Sequence, residues 1–207
     1  KIESAGLVIN SEINKSFEKK QILKDINLQT SSKKNLCIYG ASGFGKTTLL
    51  KVIAGVTKPD KGNITLFKNN KINDKIKISM VFQEDRLTEE TDIYTNLYYT
   101  LGKDFSKENV DKHLEEVGLC GKGRTKVKEL SGGMKRRVAI VRAILYDSDI
   151  ILLDEAFKGL DRELRSRIIS YVNKYRNNRI LIMVTHDLNE GKEMLAENVD
   201  LSEINCV

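Results

Sequence analysis

The stretch Leu36-Cys37-Ile38-Tyr39-Gly40-Ala41-Ser42-Gly43-Phe44-Gly45-Lys46-Thr47 decides the fold. Its first four residues are apolar and make a short buried strand ending at a glycine. The next eight fit the spacing G-x-x-x-x-G-K-[ST], and residues 46–53 read as a helix that stops near Gly55. Phosphates need dense N–H donors, and a glycine-rich turn lets the backbone wrap closely enough to supply them. The helix N-terminus adds the favourable end of its dipole. Gly40 through Thr48 are therefore the expected cradle of a nucleoside triphosphate. Within it, Lys46 is expected to reach the β- and γ-phosphates, and Thr47 to bind Mg²⁺ through its hydroxyl.

Outward from this loop, the front of the chain reads as strands. Leu7, Ile9 and Ile13 are apolar at mostly even spacing, Glu18-Lys19-Lys20 makes a polar turn, and Ile26 and Leu28 continue the alternation. Ile76, Ile78, Met80 and Phe82 alternate strictly, the pattern of a half-buried strand. From about residue 94 to 117 the period becomes helical, with Val110, Leu114 and Val117 on one face, and residues 118–128 read as a loop. In the last third, the stripes Met134, Val138, Val141, Leu145 and Leu164, Ile168, Tyr171, Tyr175 predict helices. They alternate with fully apolar strands at Ile150-Ile151-Leu152-Leu153 and Ile180-Leu181-Ile182-Met183-Val184. Apolar strands between amphipathic helices mean a parallel sheet covered on both faces. The reading is an α/β core with a mostly parallel sheet, an antiparallel β region at the front, and a helical insert at about 86–146, all in one domain, 1–207.

Two further segments carry chemistry. The strand ending at Leu153 runs into Asp154-Glu155. Ligands of parallel sheets sit beyond the carboxyl ends of the strands, so Asp154 is placed to hold Mg²⁺ and Glu155 to orient the attacking water. Leu130-Ser131-Gly132-Gly133-Met134 precedes a helix beginning Lys135-Arg136-Arg137. Ser131 can cap that helix, and Gly132 and Gly133 expose N–H groups at its start, a second anion cradle. Two cradles and one triphosphate suggest that the second cradle of one copy closes over the nucleotide held by another.

With these residues in view, the sequence resembles the ABC ATPases over essentially its whole length. That family carries, in order, a phosphate loop, a Gln at a strand end, an LSGGQ-like signature, an acidic strand end, a GLD or ALD loop and a switch His. This chain shows Lys46, Gln83, Ser131-Gly132-Gly133, Asp154-Glu155, Gly159-Leu160-Asp161 and His186 in the same order. The resemblance implies a P-loop NTPase fold, ATP and Mg²⁺ as ligands, and an ATP-sandwich dimer with a second ATPase subunit, identical or not. It further implies that Gln83 meets Mg²⁺ or its water, that His186 touches the γ-phosphate, that Asp161 shapes the dimer interface, and that Phe17 stacks on adenine. Two positions depart from the pattern: Met134 stands where the signature has Gln, and Ala156 where a Pro commonly follows the catalytic Glu.

Residues 81–87 and 130–137 are similar to the importers that take up nitrate, sulfonates, taurine or thiamine precursors. That similarity implies a separate transmembrane permease, a peripheral place on the cytoplasmic face of the cell membrane, and an extracytoplasmic solute-binding protein in the same system. The longest apolar runs fall far short of the roughly 20 residues that cross a bilayer, so no span is expected in this chain. The 207 residues carry a net charge of +6, but the basic residues are interleaved with acids, as in Glu163-Leu164-Arg165. No basic run alternates with aromatics, so no nucleic-acid partner is expected. A soluble relative acting on nucleic acid or ribosomes would need tandem units or coiled-coil arms, and the interval from Lys46 to Ser131 has no room for arms. A phosphotransferase would have no use for the second cradle. Cys37, Cys120 and Cys206 show no metal-ligand spacing and read as free thiols.

Overall fold

The computed structural model describes residues 5–18, 20–68, 71–72 and 76–205; Lys19 and Cys206 lie outside them. In chain order the elements begin β1 (Ala5–Phe17), β2 (Lys20–Ser31), β3 (Asn35–Tyr39), α1 (Lys46–Ile53), β4 (Lys61–Lys68), β5 (Lys71–Ile72) and β6 (Ile78–Val81). Then come α2 (Ile93–Leu101), α3 (Lys107–Glu116), α4 (Gly132–Leu145), β7 (Ile150–Asp154) and α5 (Arg162–Tyr175). The chain closes with β8 (Ile180–Val184), α6 (Leu188–Glu193), β9 (Ala196–Asp200) and α7 (Leu201–Ile204). The contacts divide the chain into two compact units: Lys1–Met80 with Ser148–Glu155 and Asn177–Val207, and Val81–Asp147 with Ala156–Arg176.

The first unit holds two sheets. The front sheet has the order β2-β1-β4-β5 and is antiparallel. The second has the order β6-β7-β8-β3-β9, with β7–β8, β8–β3 and β3–β9 parallel. Every residue of β7 and β8 is buried, as their unbroken apolar runs require of strands covered on both faces. Leu7, Leu23 and Ile26 of the front sheet share one core with Leu49 and Leu50 of α1 and Ile38, Leu152 and Ile182 of the parallel sheet. Truncating a buried Leu of this kind to Ala costs about 2–5 kcal/mol, so the core fixes where α1 starts.

The edge strand differs from the alternation read in the sequence. β6 is only Ile78–Val81, and its fully buried residues are Ser79 and Val81, whereas Ile78 and Met80 are half-buried. Both faces are covered: Ile76, Ile78 and Met80 pack on the core, and the Ser79 hydroxyl bonds that of Ser148 at 3.0 Å. A satisfied serine is buried as readily as an isoleucine, and alternation of hydropathy does not reveal it.

The second unit is helical, and the single helical run read over 94–117 is two helices. Gly102, at φ 55°, ends α2, and Ser106 caps α3 by accepting from the Asn109 amide. Val110, Leu114 and Val117 are buried as expected. The buried faces of α4 and α5 are displaced from the predicted stripes: Met134, Leu145, Leu164 and Tyr175 are only half-buried, whereas Ala139, Ile140, Ile144, Ile169 and Val172 are buried. Small and β-branched residues beside the stripe widen the face that the core covers.

α3 and α5 are joined by a polar aromatic cluster. His113 Nδ1 lies 2.7 Å from the Tyr171 hydroxyl, its ring centroid 4.4 Å from that of Tyr175, and the Tyr175 hydroxyl donates to Glu116. Burial holds His113 below the ordinary histidine value of 6.5, against the pull of Glu116, with Lys112 and Lys174 reinforcing it. Cys37 is buried and its thiol is pushed up to about 12, chiefly by burial and secondarily by Glu190, while Cys120 is exposed.

Because His113 is favoured as the neutral ring, the folded chain binds fewer protons than the unfolded chain between its lowered pKa and 6.5. Stability contributed by this site is present above that window and lost as pH falls through it. Denaturant unfolding at pH 7.5 and 5.5 should show this loss in the wild type, and His113→Gln, which cannot titrate, should flatten the acid-side slope.

Candidate functional site

The order β7-β8-β3 decides what comes together. Asp154 ends β7 with Glu155 just beyond it, His186 follows β8 and the glycine loop follows β3, so all three lie at the same end of a parallel sheet. β8 lies between β3 and β7, so the two strands read as bearing the loop and the acids are about 10 Å apart. The helix α1 closes that gap.

α1 is preceded by Gly45 at its N-cap, which has φ 92°. A side chain there would be strained by that φ and would also meet Leu23 Cδ2 at 2.9 Å and the Ile22 carbonyl at 3.0 Å. No side chain caps α1 and no acid sits in its first turn, whereas each other α-helix among the described residues has a side-chain cap. The first-turn N–H groups of a helix are orphans that something must satisfy. Ala41, Ser42, Gly43 and Phe44 are exposed around that end. Lys46 is buried, and its ammonium donates to the Gly40 and Ala41 carbonyls at 2.7 and 2.8 Å. Burial lowers its pKa, and Glu155, Asp154 and Asp200 pull the other way.

Thr47 Oγ1 donates to Asp154 Oδ1 at 3.0 Å, and Asp154 is 1% exposed. These are two hard oxygen donors side by side, which suits Mg²⁺. Among the described residues no cluster of three His, Cys, Asp or Glu could hold a metal. A cation here would complete its shell with phosphate oxygens and water, as Mg²⁺ habitually does. Thr48 is half-buried in the first turn of α1.

Glu155 turns sharply off β7. Its φ is 47°, a left-handed conformation that costs a non-glycine residue about 1 kcal/mol. Its amide donates to the Val184 carbonyl at 3.0 Å, which ties the turn to β8. Its carboxylate Oε1 lies 2.5 Å from His186 Nε2, with the histidine nearly half exposed. The loop bearing His186 is built from below. The Thr185 amide donates to the Ile38 carbonyl at 3.2 Å, and its hydroxyl donates to Glu190 at 2.6 Å.

Phe17, at the end of β1, is 48% exposed, and the Lys15 ammonium stands 5.3 Å from its ring centroid. The second unit holds the remaining predicted residues. Ser131 is exposed and accepts from the Met134 amide at 3.3 Å, capping α4. Gly132 is exposed, and a side chain there would meet nothing within 4 Å among the described residues. Gly133 has Leu160 Cδ2 3.5 Å from the place of its missing Cβ, so the Gly159-Leu160-Asp161 loop lies beside the signature turn. Asp161 is exposed and caps α5 through the Leu164 amide at 2.9 Å. Gln83 is exposed, and its carbonyl accepts from Arg136.

Two residues around the loop were missed in the sequence. Asp200, at the end of β9, has its carboxylate 3.5 Å from where a side chain at 40 would begin. Ser202 lowers its pKa most, with Lys46 assisting. Asn205 donates to the Ile22 and Phe44 carbonyls at 2.9 and 3.3 Å and accepts from the Lys24 amide at 2.8 Å, pinning the phosphate loop from the far end of the chain. The position of Asp200 at a parallel strand end was the available signal; Asn205 carries none.

A parallel sheet whose strand–loop–helix presents an uncapped helix start, a lysine and a Thr–Asp oxygen pair defines a P-loop nucleotide-binding protein. A profile of the ABC transporter family matches residues 23–158, and the chain belongs to that family. It is 35% identical over 180 residues to an aliphatic sulfonates import ATP-binding protein of Burkholderia cenocepacia, covering 86% of this chain and 67% of that one. It is 36% identical over 202 residues to a spermidine/putrescine import ATP-binding protein of Acetivibrio thermocellus, covering 91% of this chain and 57% of that one. Among solved structures it is similar to a dimeric ATP-binding cassette in a post-hydrolysis state with ADP and Pi, at TM-score 0.78 and 27% identity, covering 94% and 93% of the two chains. A putative ABC transporter ATP-binding protein of Pyrococcus furiosus shares the fold at TM-score 0.84 and 23% identity, with 97% and 99% covered.

If Thr47 and Asp154 jointly hold the cation, Thr47→Val should raise the Mg²⁺ concentration for half-maximal ATP hydrolysis at least about tenfold. ATP binding measured without metal should be unchanged.

Proposed function

We propose that this chain is the ATP-hydrolysing subunit of a membrane importer, acting as a head-to-tail pair on a separate permease. The observation that carries the reading is the Ser131–Gly133 turn. It is an exposed helix start with a glycine at 132 that nothing among the described residues requires. A missing side chain at such a place leaves room for a ligand held by something else, and the phosphate loop of a second copy holds a ligand of fitting charge. The similar cassette of known dimeric structure supports the pairing.

In this reading the triphosphate takes the uncapped start of α1. Lys46 exchanges its two carbonyls for β- and γ-phosphate oxygens. Residues 40–48 supply the amides and Phe17 stacks on adenine; Thr47 and Asp154 would hold Mg²⁺, with Gln83 at the ion or its water, and the ion would supply neutralisation of phosphate charge. Glu155 orients the attacking water, and His186 fixes the Glu155 carboxylate and reaches the γ-phosphate. The partner's signature turn closes the site, with Asp161 at the seam. Loss of the γ-phosphate removes the bridge between the two cradles, the pair loosens, and that movement drives the permease.

No helix among the described residues is long and apolar enough to cross a membrane; the peripheral place on the cytoplasmic face follows from the reading as the ATP-binding subunit of an importer, as the relatives are named. Import is the direction shared by the names of the sulfonate and polyamine relatives. Those cargoes are an anion and a polycation, so the ATPase sequence carries the class of machine and not the cargo. A solute-binding protein would complete such an importer.

Glu155→Gln should bind ATP, fail to hydrolyse it, and elute as an ATP-dependent dimer in size-exclusion chromatography. A monomer at all ATP concentrations, with ATP bound, would refute the pairing.

A further inference from the structure

The loop that carries Gln83 is held by two arginines of α4. Arg136 Nη1 donates to the Phe82 carbonyl at 2.6 Å, and its Nη2 donates to the Gln83 carbonyl. Arg142 donates to the Asp85 and Arg86 carbonyls at 2.9 and 2.8 Å. Four of the five carbonyls from 82 to 86 are thus gripped by one helix. Six residues of helix advance about 9 Å, and three residues of extended chain span about 10 Å, so the two guanidiniums match the two ends of the loop. Arg136 is 9% exposed, and its Nε stands 3.1 Å from Asp85 Oδ1, an ion contact and not an aligned hydrogen bond. The loop is closed by Arg86, at φ 47°, whose guanidinium lies 3.7 Å from the Phe82 ring centroid.

The grip on Gln83 is specific. The carbonyls of Phe82 and Gln83 belong to the peptide planes on either side of the Gln83 Cα, so fixing both fixes its φ and ψ. The side chain is left exposed on an immobilised base. Arg136 also sits one turn into the helix whose first residues are the Ser131–Gly133 cradle.

We propose that Arg136, assisted by Arg142, is a positioning residue that fixes the backbone from which the Gln83 side chain acts. This inference rests on the function proposed above, in which Gln83 serves the metal and its water. Lysine cannot replace Arg136, because an ammonium lacks the planar fork that meets two carbonyls at once.

The test compares Gln83→Ala, Arg136→Ala, Arg136→Lys and Arg142→Ala in the full chain with Mg-ATP. It follows kcat, KM for ATP, the Mg²⁺ concentration at half-maximal rate, and ATP affinity in EDTA, with thermal melts as the control for folding. Arg136→Lys keeps a cation opposite Asp85 and decides the matter if Arg136→Ala does not fold. The expected result is that both Arg136 variants share the Gln83→Ala defect. That defect is about a tenfold fall in kcat and a tenfold rise in Mg²⁺ requirement, with ATP affinity in EDTA within about twofold of wild type. Wild-type kcat and Mg²⁺ dependence in both Arg136 variants, beside an impaired Gln83→Ala, would overturn the clamp and leave the reading of the site intact. A wild-type Gln83→Ala would overturn the role of Gln83 and the clamp with it.

Discussion

The start of α1 is the constraint from which the rest follows. A helix that follows Gly45 with no side-chain cap and no acid in its first turn leaves its N–H groups and dipole to be satisfied by something outside the chain. A buried ammonium, Lys46, adds a full charge at the same place and in the meantime spends its donors on the carbonyls of Gly40 and Ala41. Beneath it the core buries Leu49 and Leu50, and Asn205 donates to the Phe44 carbonyl of the loop. A triphosphate supplies every missing partner at once.

The parallel sheet then determines which chemistry surrounds that anion. Placing β8 between β3 and β7 brings His186 between the loop and the acids, and the strained turn at Glu155 aims its carboxylate at the histidine. The Thr185 amide on the Ile38 carbonyl locks the histidine loop to the strand that feeds the phosphate loop. In the helical unit a different economy holds. Its polar residues face backbone carbonyls: Arg136 and Arg142 on the loop of Gln83, and Arg137 on the Val117 carbonyl at 2.8 Å. Loops of irregular backbone have no ladder of their own, and charged donors from α4 supply the missing bonds.

Much of this was legible in the chain itself. The apolar runs at 150–153 and 180–184 gave the buried parallel strands, and the spacing from Gly40 to Thr47 gave the strand, loop and helix. The proximity of Thr47 to Asp154 was not legible in the same way: β8 separates β3 from β7, and it is the first turn of α1 that carries Thr47 across to Asp154. The rest depended on tertiary pairing. Ser79 is buried because Ser148 meets it, α2 and α3 separate because Gly102 adopts a positive φ, and Arg136 is buried because carbonyls far away in sequence accept its donors. Hydropathy period is blind to each of these, since it scores the side chain and not its partner. Asp200 could be sought only from its place at a parallel strand end, and Asn205 carried no pattern that a period or a motif would select.

Amide hydrogen exchange at Gly132 and Gly133 measures the central idea most directly, because at the start of α4 their N–H groups are the ones a neighbouring nucleotide would take. With a slowly hydrolysed ATP analogue and Mg²⁺, their exchange should slow sharply, and the protection should vanish on dilution of the protein. Fast exchange at both glycines under saturating nucleotide and high protein concentration would contradict the account.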